Sequence, residues 1–325
     1  MAEEYYKEIN INGITPGLFP SVALYLKTGT NYILYLPHGR ALTKDDYERL
    51  KRRGVDYISV RTGDMEEIST YLEKYLTELL QRTDLNSLTK SKILFQACVD
   101  YVADILANPR KVKDVERCRI LIRPLMQFVA HDKDALIALR VVVDRAPYLI
   151  AHSVLVAAFT LLVHSQLFPS IKGAELEDVG IGAILHDLGM SFEDFIPAGK
   201  AGSFSDQEYQ LVKLHTNLGY DYLNRTKLFS DTTLDVVHHH HERYDGRGYP
   251  THLCGEEIPI AAQVAALCDS FCAMTSDRVY RKAFTTTHAL QTMNKLNGAH
   301  ETSMLKNFVN IVTERHVVKL RMTTL

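Results

Sequence analysis

Residues 146–171 contain no Asp, Glu, Lys or Arg, a run long enough to cross a bilayer as a helix. Such a segment has two outlets: it sits in lipid, or other helices bury it on every side. This one carries His152, Ser153, His164, Ser165 and Gln166 between Pro147 and Pro169, which favours a helix buried in a helical domain and no membrane span. The surrounding chain suits that reading, with 46% hydrophobic and 23% charged residues over 325 positions, enough for about two globular domains. A formal net charge of −2 argues against a nucleic-acid polymer or an anionic membrane as partner. Cys98, Cys118, Cys254, Cys268 and Cys272 make an odd count without close-set pairs, and the start MAEEYYKEIN lacks the basic and apolar regions of a secretory leader. The expectation is a cytoplasmic protein with reduced thiols.

The chain changes character along its length. Residues 1–65 alternate β-rich runs with turns: VALYLKTGTNYILYL predicts a hairpin through Thr28, Gly29 and Thr30, and VDYISVR a further strand. Between them Thr43 is placed to cap a short helix, TKDDYERLKRR, stopped at Gly54. No catalytic spacing occurs there, so a small α/β regulatory or partner-binding domain is expected. Residues 66–140 show apolar positions three and four apart, as in MEEISTYLEKYLTELLQ and KILFQACVDYVADILA, and read as a helical linker whose stripes can also serve a homodimer. Residues 141–325 stay helix-rich and form the expected catalytic domain. The fold class is therefore mostly α with a small N-terminal α/β domain.

Fourteen histidines are present, and nine of them (His152, His164, His186, His215, His238, His239, His240, His241 and His252) fall between 152 and 252, where even spreading would put about four. In VGIGAILHDLGM an apolar helix runs into His186 and Asp187 and stops at Gly189. Alone, that pair reads as a satisfied core histidine beside a capping aspartate. However, His152, His215 in QLVKLHTNLGYDYL, His240 and His241 in LDVVHHHHE, and Asp269 in AAQVAALCDSFCAMTS also lie in apolar helical segments, where unpaired polar groups are destabilising. Metal ions account for them together. Five imidazoles and two carboxylates exceed the needs of one divalent ion and suit a binuclear site bridged by Asp187, for iron, manganese, zinc or nickel. Successive helical residues lie 100° apart, so His240 and His241 converge on one ion only near a helix end, and His238 and His239 must point elsewhere.

HDLG (186–189), the spaced His152 and His215, HHERYDGRGYP (240–250) and CDSFCAMTSDRVYRK (268–282) together resemble the HD-GYP subgroup of HD-domain phosphohydrolases, over about residues 148–310. The resemblance implies an all-helical domain that binds two divalent metals, most often iron, with manganese as the other choice, and hydrolyses cyclic di-GMP to pGpG or GMP through a hydroxide bridging the ions. It assigns His152, His186 and Asp269 to one ion and His215, His240 and His241 to the other, with Asp187 between them and His186 and Asp187 at the centre of catalysis. It also implies substrate contacts from Lys200, Arg278 and Lys282. The loop named by GYP uses Gly246 and Gly248 for sharp turns that hold Tyr249 and Pro250 beside the metals. Asp245 is expected to tie the loop to its neighbours, Glu242 to orient a ligand imidazole, and the loop to dock a signalling protein.

The chain departs from the family pattern. Met190 stands where the HD-x-G-K lysine is expected, Cys272 replaces the second aspartate of D-x-F-D-A, Val279 replaces a proline, and SFEDF replaces the segment with I-P-D. Tyr148 occupies the position of the glutamate that trinuclear members use, so two metals are expected. The ligands stay intact, but loss of the lysine cation keeps two alternatives open: a catalytically weak or inactive metal-bearing cyclic di-GMP receptor or scaffold, and a phosphohydrolase for another nucleotide.

Overall fold

A computed structural model describes residues 6–143, 148–192, 205–278, 281–296 and 298–322, the backbone alone at 143 and 315–322. The elements run β1 (Tyr6–Asn10), β2 (Leu24–Thr28), β3 (Asn31–Leu36), α1 (Lys44–Arg52), β4 (Tyr57–Arg61), α2 (Met65–Gln81), α3 (Ser87–Ala107), α4 (Val115–His131), α5 (Ala135–Val143), α6 (Tyr148–Leu167), α7 (Ala174–Leu185), α8 (Asp206–Thr226), α9 (Asp231–His239), α10 (Ile260–Met274), α11 (Thr286–Lys295) and α12 (Thr302–Met322). The chain divides into two compact units, Met1–Asp100 and Tyr101–Leu325.

In the first unit the antiparallel order is β1-β4-β2-β3. The predicted hairpin is β2–β3, with Thr28 opposite Asn31 and Gly29 at φ +61°, a left-handed position that glycine adopts without a Cβ clash. Thr43 caps α1 as expected: its Oγ1 accepts from Asp46 N at 3.2 Å while Asp46 Oδ2 accepts from Thr43 N at 3.3 Å. Strand β1 had no separate sequence signal. It forms because β4 offers a partner, with Ile9 facing Ile58 in the buried layer. Leu72, Leu76 and Leu79 of α2 and Ile93, Leu94 and Ala97 of α3 are buried in the same unit.

The second unit is built around α6. Every residue from 151 to 164 is buried, and the helix packs against α4, α5, α7, α10 and α12. Its apolar length would suffice for a bilayer, yet its surface is spent on neighbouring helices. The stretch expected as a linker, 66–140, divides here: residues up to Asp100 belong to the first unit, while α4 and α5 pack on α6 in the second. The reason is electrostatic as well as apolar. Arg119 donates to Glu177 at 3.0 Å and Asp178 at 2.7 Å, and Arg123 Nε donates to Glu177 at 2.9 Å, which ties α4 to the first turn of α7, where carboxylates are favoured.

Burial alone would raise the Glu177 carboxyl, but hydrogen bonds from Arg123 and Arg119 outweigh it and hold the group below its ordinary value. A carboxyl held low in the fold contributes stability above its unfolded value, and that contribution is lost as pH falls through the folded one. Glu177→Gln is expected to lower the unfolding free energy by about 1–3 kcal/mol at neutral pH. Urea titrations should show that gap between wild type and variant closing below about pH 4. A gap that widens in acid would contradict the arrangement.

Candidate metal centre

Five helical elements deliver the ligand-type side chains. His152 lies in α6, His186 and Asp187 directly follow α7, His215 is in α8, His240 and His241 follow α9, and Asp269 is in α10. Three of the rings are set by their own helices. Nδ1 lies 2.8 Å from Ala183 O in His186, 2.6 Å from Val212 O in His215, and 3.0 Å from Val237 O in His240. A carbonyl only accepts, so each Nδ1 carries a proton, which leaves Nε2 as the ligating atom of the neutral ring. Those Nε2 atoms face Asp187: His215 at 3.3 Å and His240 at 4.0 Å from Oδ1, and His186 at 3.3 Å from Oδ2.

The arrangement asks for cations. Nε2 of His215 and Nε2 of His240 are 3.2 Å apart, two lone pairs that repel unless a positive centre lies between them. His186 Nε2 and His152 Nδ1 are buried with no hydrogen-bond partner, a state that is costly for polar atoms. Asp187, His215, His240 and His241 form one group, and His152, His186 and Asp187 another, each with ligand atoms within 4.8 Å of one another. Ligands about 2.1 Å from a common ion lie about 3–4 Å apart, so both groups fit a divalent metal after small rotations, with Asp187 in each. Asp269 straddles them: Oδ1 is 2.8 Å from His152 Nε2 and Oδ2 is 3.7 Å from His241 Nδ1. The family resemblance assigns it to the His152 side alone.

Burial raises the Asp187 and Asp269 carboxyls, but the imidazoles around them outweigh it and hold both below the usual carboxylate range. Burial drives His240 well down and His241 to about 4, so both stay neutral. Burial also opposes a charge on His186, yet Asp187 and Asp269 raise it to about 9: in a pocket with two buried carboxylates, one imidazolium supplies the positive charge that a metal would otherwise bring. Ionised carboxylates and neutral imidazoles are the ligating forms.

The GYP loop folds back on the segment that follows α9. A Cβ on Gly248 would lie 2.3 Å from Arg243 N and 2.4 Å from Glu242 Cα, so a side chain there is incompatible with the turn. Tyr249 N donates to His241 O at 3.2 Å, and the two rings are 4.7 Å apart, with Pro250 next in the chain. Asp245 accepts from Arg243 at 3.0 and 2.7 Å and from Arg247 N at 3.1 Å, across the turn at Gly246, φ +72°. Glu242 departs from expectation. Its Oε1 accepts from Thr251 N at 2.7 Å and Thr251 Oγ1 at 2.8 Å, and its nearest imidazole is the non-ligand His239, 3.9 Å away. Backbone carbonyls already occupy Nδ1 of His186, His215 and His240, so Glu242 anchors the loop instead.

The expected substrate contacts separate. Arg278 lies 4.4 Å over the Tyr148 ring, which stacks on His152 at 5.2 Å. Lys282 is 92% exposed and bonded to Asp277 at 2.8 Å, outside the cluster. Lys200 lies outside the described residues. Lys213 reaches over the Tyr249 ring at 5.4 Å, a placement without a sequence signal because it depends on where a distant loop folds.

Gly189 decides whether the two halves of the site meet. A Cβ there would lie 1.9 Å from His215 O and 2.8 Å from Gly219 N, so only glycine lets the turn after His186 and Asp187 lie on the α8 backbone. Overpacking against backbone costs at least about 1–3 kcal/mol. Gly189→Ala is expected to lower the melting temperature and the metal content together. Retention of both at wild-type levels would show that the contact is dispensable.

The chain matches the HD domain family over residues 139–301. It is 32% identical over 200 residues to a cyclic di-GMP phosphodiesterase of Pseudomonas aeruginosa, covering 61% of this chain and 48% of that one. It is 26% identical over 243 residues to a 3′3′-cGAMP-specific phosphodiesterase of Vibrio cholerae, covering 71% and 50%. The chain thus spans half or less of the length of these curated relatives. Its fold is similar to that of an HDG"Y"P protein from Bdellovibrio bacteriovorus, with TM-score 0.66 at 19% identity over 95% of this chain and all of that one. With the His and Asp cluster assembled and the Gly248–Pro250 turn folded against it, the chain belongs to the HD-domain family.

Proposed function

We propose that this chain is a metal-dependent phosphodiesterase that opens cyclic di-GMP to pGpG or GMP. The observation that carries the reading is the convergence of three buried Nε2 atoms, each the ligating nitrogen of its neutral ring, on one ionised carboxylate, Asp187. Two divalent ions, iron or manganese, would be held by His152, His186 and Asp269 on one side and His215, His240 and His241 on the other, with Asp187 shared. Ions bound there supply Lewis acidity, which acidifies water and offsets charge on the phosphodiester. The protein's part is orientation: the Ala183, Val212 and Val237 carbonyls hold three rings in the tautomer that leaves Nε2 free, and Asp187 keeps its charge. In the reaction a water oxygen joins phosphorus, the bond to the ribose 3′ oxygen breaks, and that oxygen leaves with a proton. The ring of Tyr249 against His241 walls one side of the centre.

The domain roles belong to the same proposal: a regulatory or partner-binding module in residues 1–65 together with the helical residues up to Asp100, and phosphohydrolase chemistry in 141–325, with α4 and α5 as part of its scaffold. The GYP loop is the docking place for a signalling protein, the helical faces are available for a homodimer, and five cysteines outside any disulfide suit the reducing cytoplasm. A second reading, a cyclic di-GMP receptor with little turnover, is favoured by Met190, which leaves the turn after Asp187 without a cation.

Metal analysis joined to an anaerobic assay tests the proposal. Iron- or manganese-loaded protein is expected to carry two ions per chain and to convert cyclic di-GMP to linear product. Asp187→Ala should lose both ions and roughly a thousandfold or more of the rate, whereas His152→Ala should retain more metal than Asp187→Ala. Tight nucleotide binding with no linear product from fully loaded protein would establish the receptor reading instead, and cleavage confined to another dinucleotide in a parallel panel would reassign the substrate.

A further inference from the structure

Two tyrosines flank the centre, and each carries a cation on its ring. Tyr148 stacks on His152 with ring planes 18° apart, and the Arg278 guanidinium sits 4.4 Å from its centroid. Tyr249 lies on His241 with ring planes 30° apart, and Lys213 Nζ sits 5.4 Å from its centroid. The same ammonium is 4.8 Å from the ring of Tyr209, one turn earlier on α8. A lysine between two aromatic faces is confined and partly stripped of water, so less side-chain entropy is lost when an anion arrives. Among the described residues no carboxylate forms an ion pair with Lys213. Tyr209 is 45% exposed, which puts this lysine at the rim of the centre.

We infer that Lys213, held between Tyr209 and Tyr249, binds a phosphate of the cyclic dinucleotide substrate; the inference rests on the phosphodiesterase reading above. A cyclic dinucleotide carries two phosphates, and ions at the Asp187 groups serve the one being cut. The other needs its own positive partner. Arg278 is tied to the His152 side, and Met190 brings no charge to the turn after Asp187. Lys213 is the cation tied to the His241 side, and it stands two residues before a ligand, so the helix that places His215 also fixes the lysine stem. Tyr249 then has two tasks, walling the metal centre and seating the cation.

Equilibrium binding separates this role from a structural one. Calorimetric titration of metal-loaded wild type, Lys213→Gln and Lys213→Arg with a non-hydrolysable phosphorothioate analogue of cyclic di-GMP gives the affinity at two salt concentrations. Lys213→Gln is expected to weaken binding about tenfold, with a smaller loss of affinity on adding salt than wild type shows, and in the assay to raise KM more than it lowers kcat. Lys213→Arg should recover most of the affinity, and metal content and melting temperature should match wild type in both variants. Wild-type affinity and salt dependence in Lys213→Gln would overturn the inference and leave the phosphodiesterase reading standing. So would a loss that tracks falling metal content. Wild-type protein that neither binds nor cleaves any cyclic dinucleotide would remove the phosphodiesterase reading, and this inference with it.

Discussion

Asp187 is the charge around which the second unit is arranged. Burial opposes its charge, but His186 above all, with His215 and His152, keeps it ionised, and three imidazoles from three separate elements face its two oxygens. Each imidazole is in turn fixed by a carbonyl of its own helix, so the geometry of the site is inherited from helix geometry. That dependence runs outward. Moving α7 or α9 by one turn would carry a lone pair away from the carboxylate, and the remaining buried groups would be left without partners at a cost of several kcal/mol.

The packing around α6 supplies the rigidity this requires. A helix buried on every face has no freedom to roll, so His152 is held in place from the first full turn of α6 onward, and α7 and α10, both packed on α6, bring Asp187 and Asp269 to it. Ion pairs from α4 to Glu177 and Asp178 hold the far end of α7. The stretch that resembles a linker in sequence therefore contributes part of the scaffold.

The chain's net charge of −2 says little about the surface a substrate would meet. Two divalent ions would reverse the local balance of Asp187 and Asp269, and among the described residues the cations Arg278 and Lys213 beside the centre are held on aromatic rings. Charge is thus placed by stacking in a protein with no overall excess of it.

Much of this was legible in the residues themselves. The charge-free run had to become a buried helix, Thr43 with Asp46 had to cap, Gly29 had to turn a hairpin, and buried ligand-type side chains in apolar helices had to find cations. These follow from forces acting within a few residues: periodicity, capping and the cost of burying polar atoms. Only the tertiary structure decided that Asp269 touches both halves of the centre, that Glu242 binds Thr251 and no ligand imidazole, that Lys282 faces solvent, that β1 pairs with β4, and that Lys213 lies on Tyr249. Each of those depends on where segments distant in the chain come to rest, and a side chain's partner is set by that distance in space.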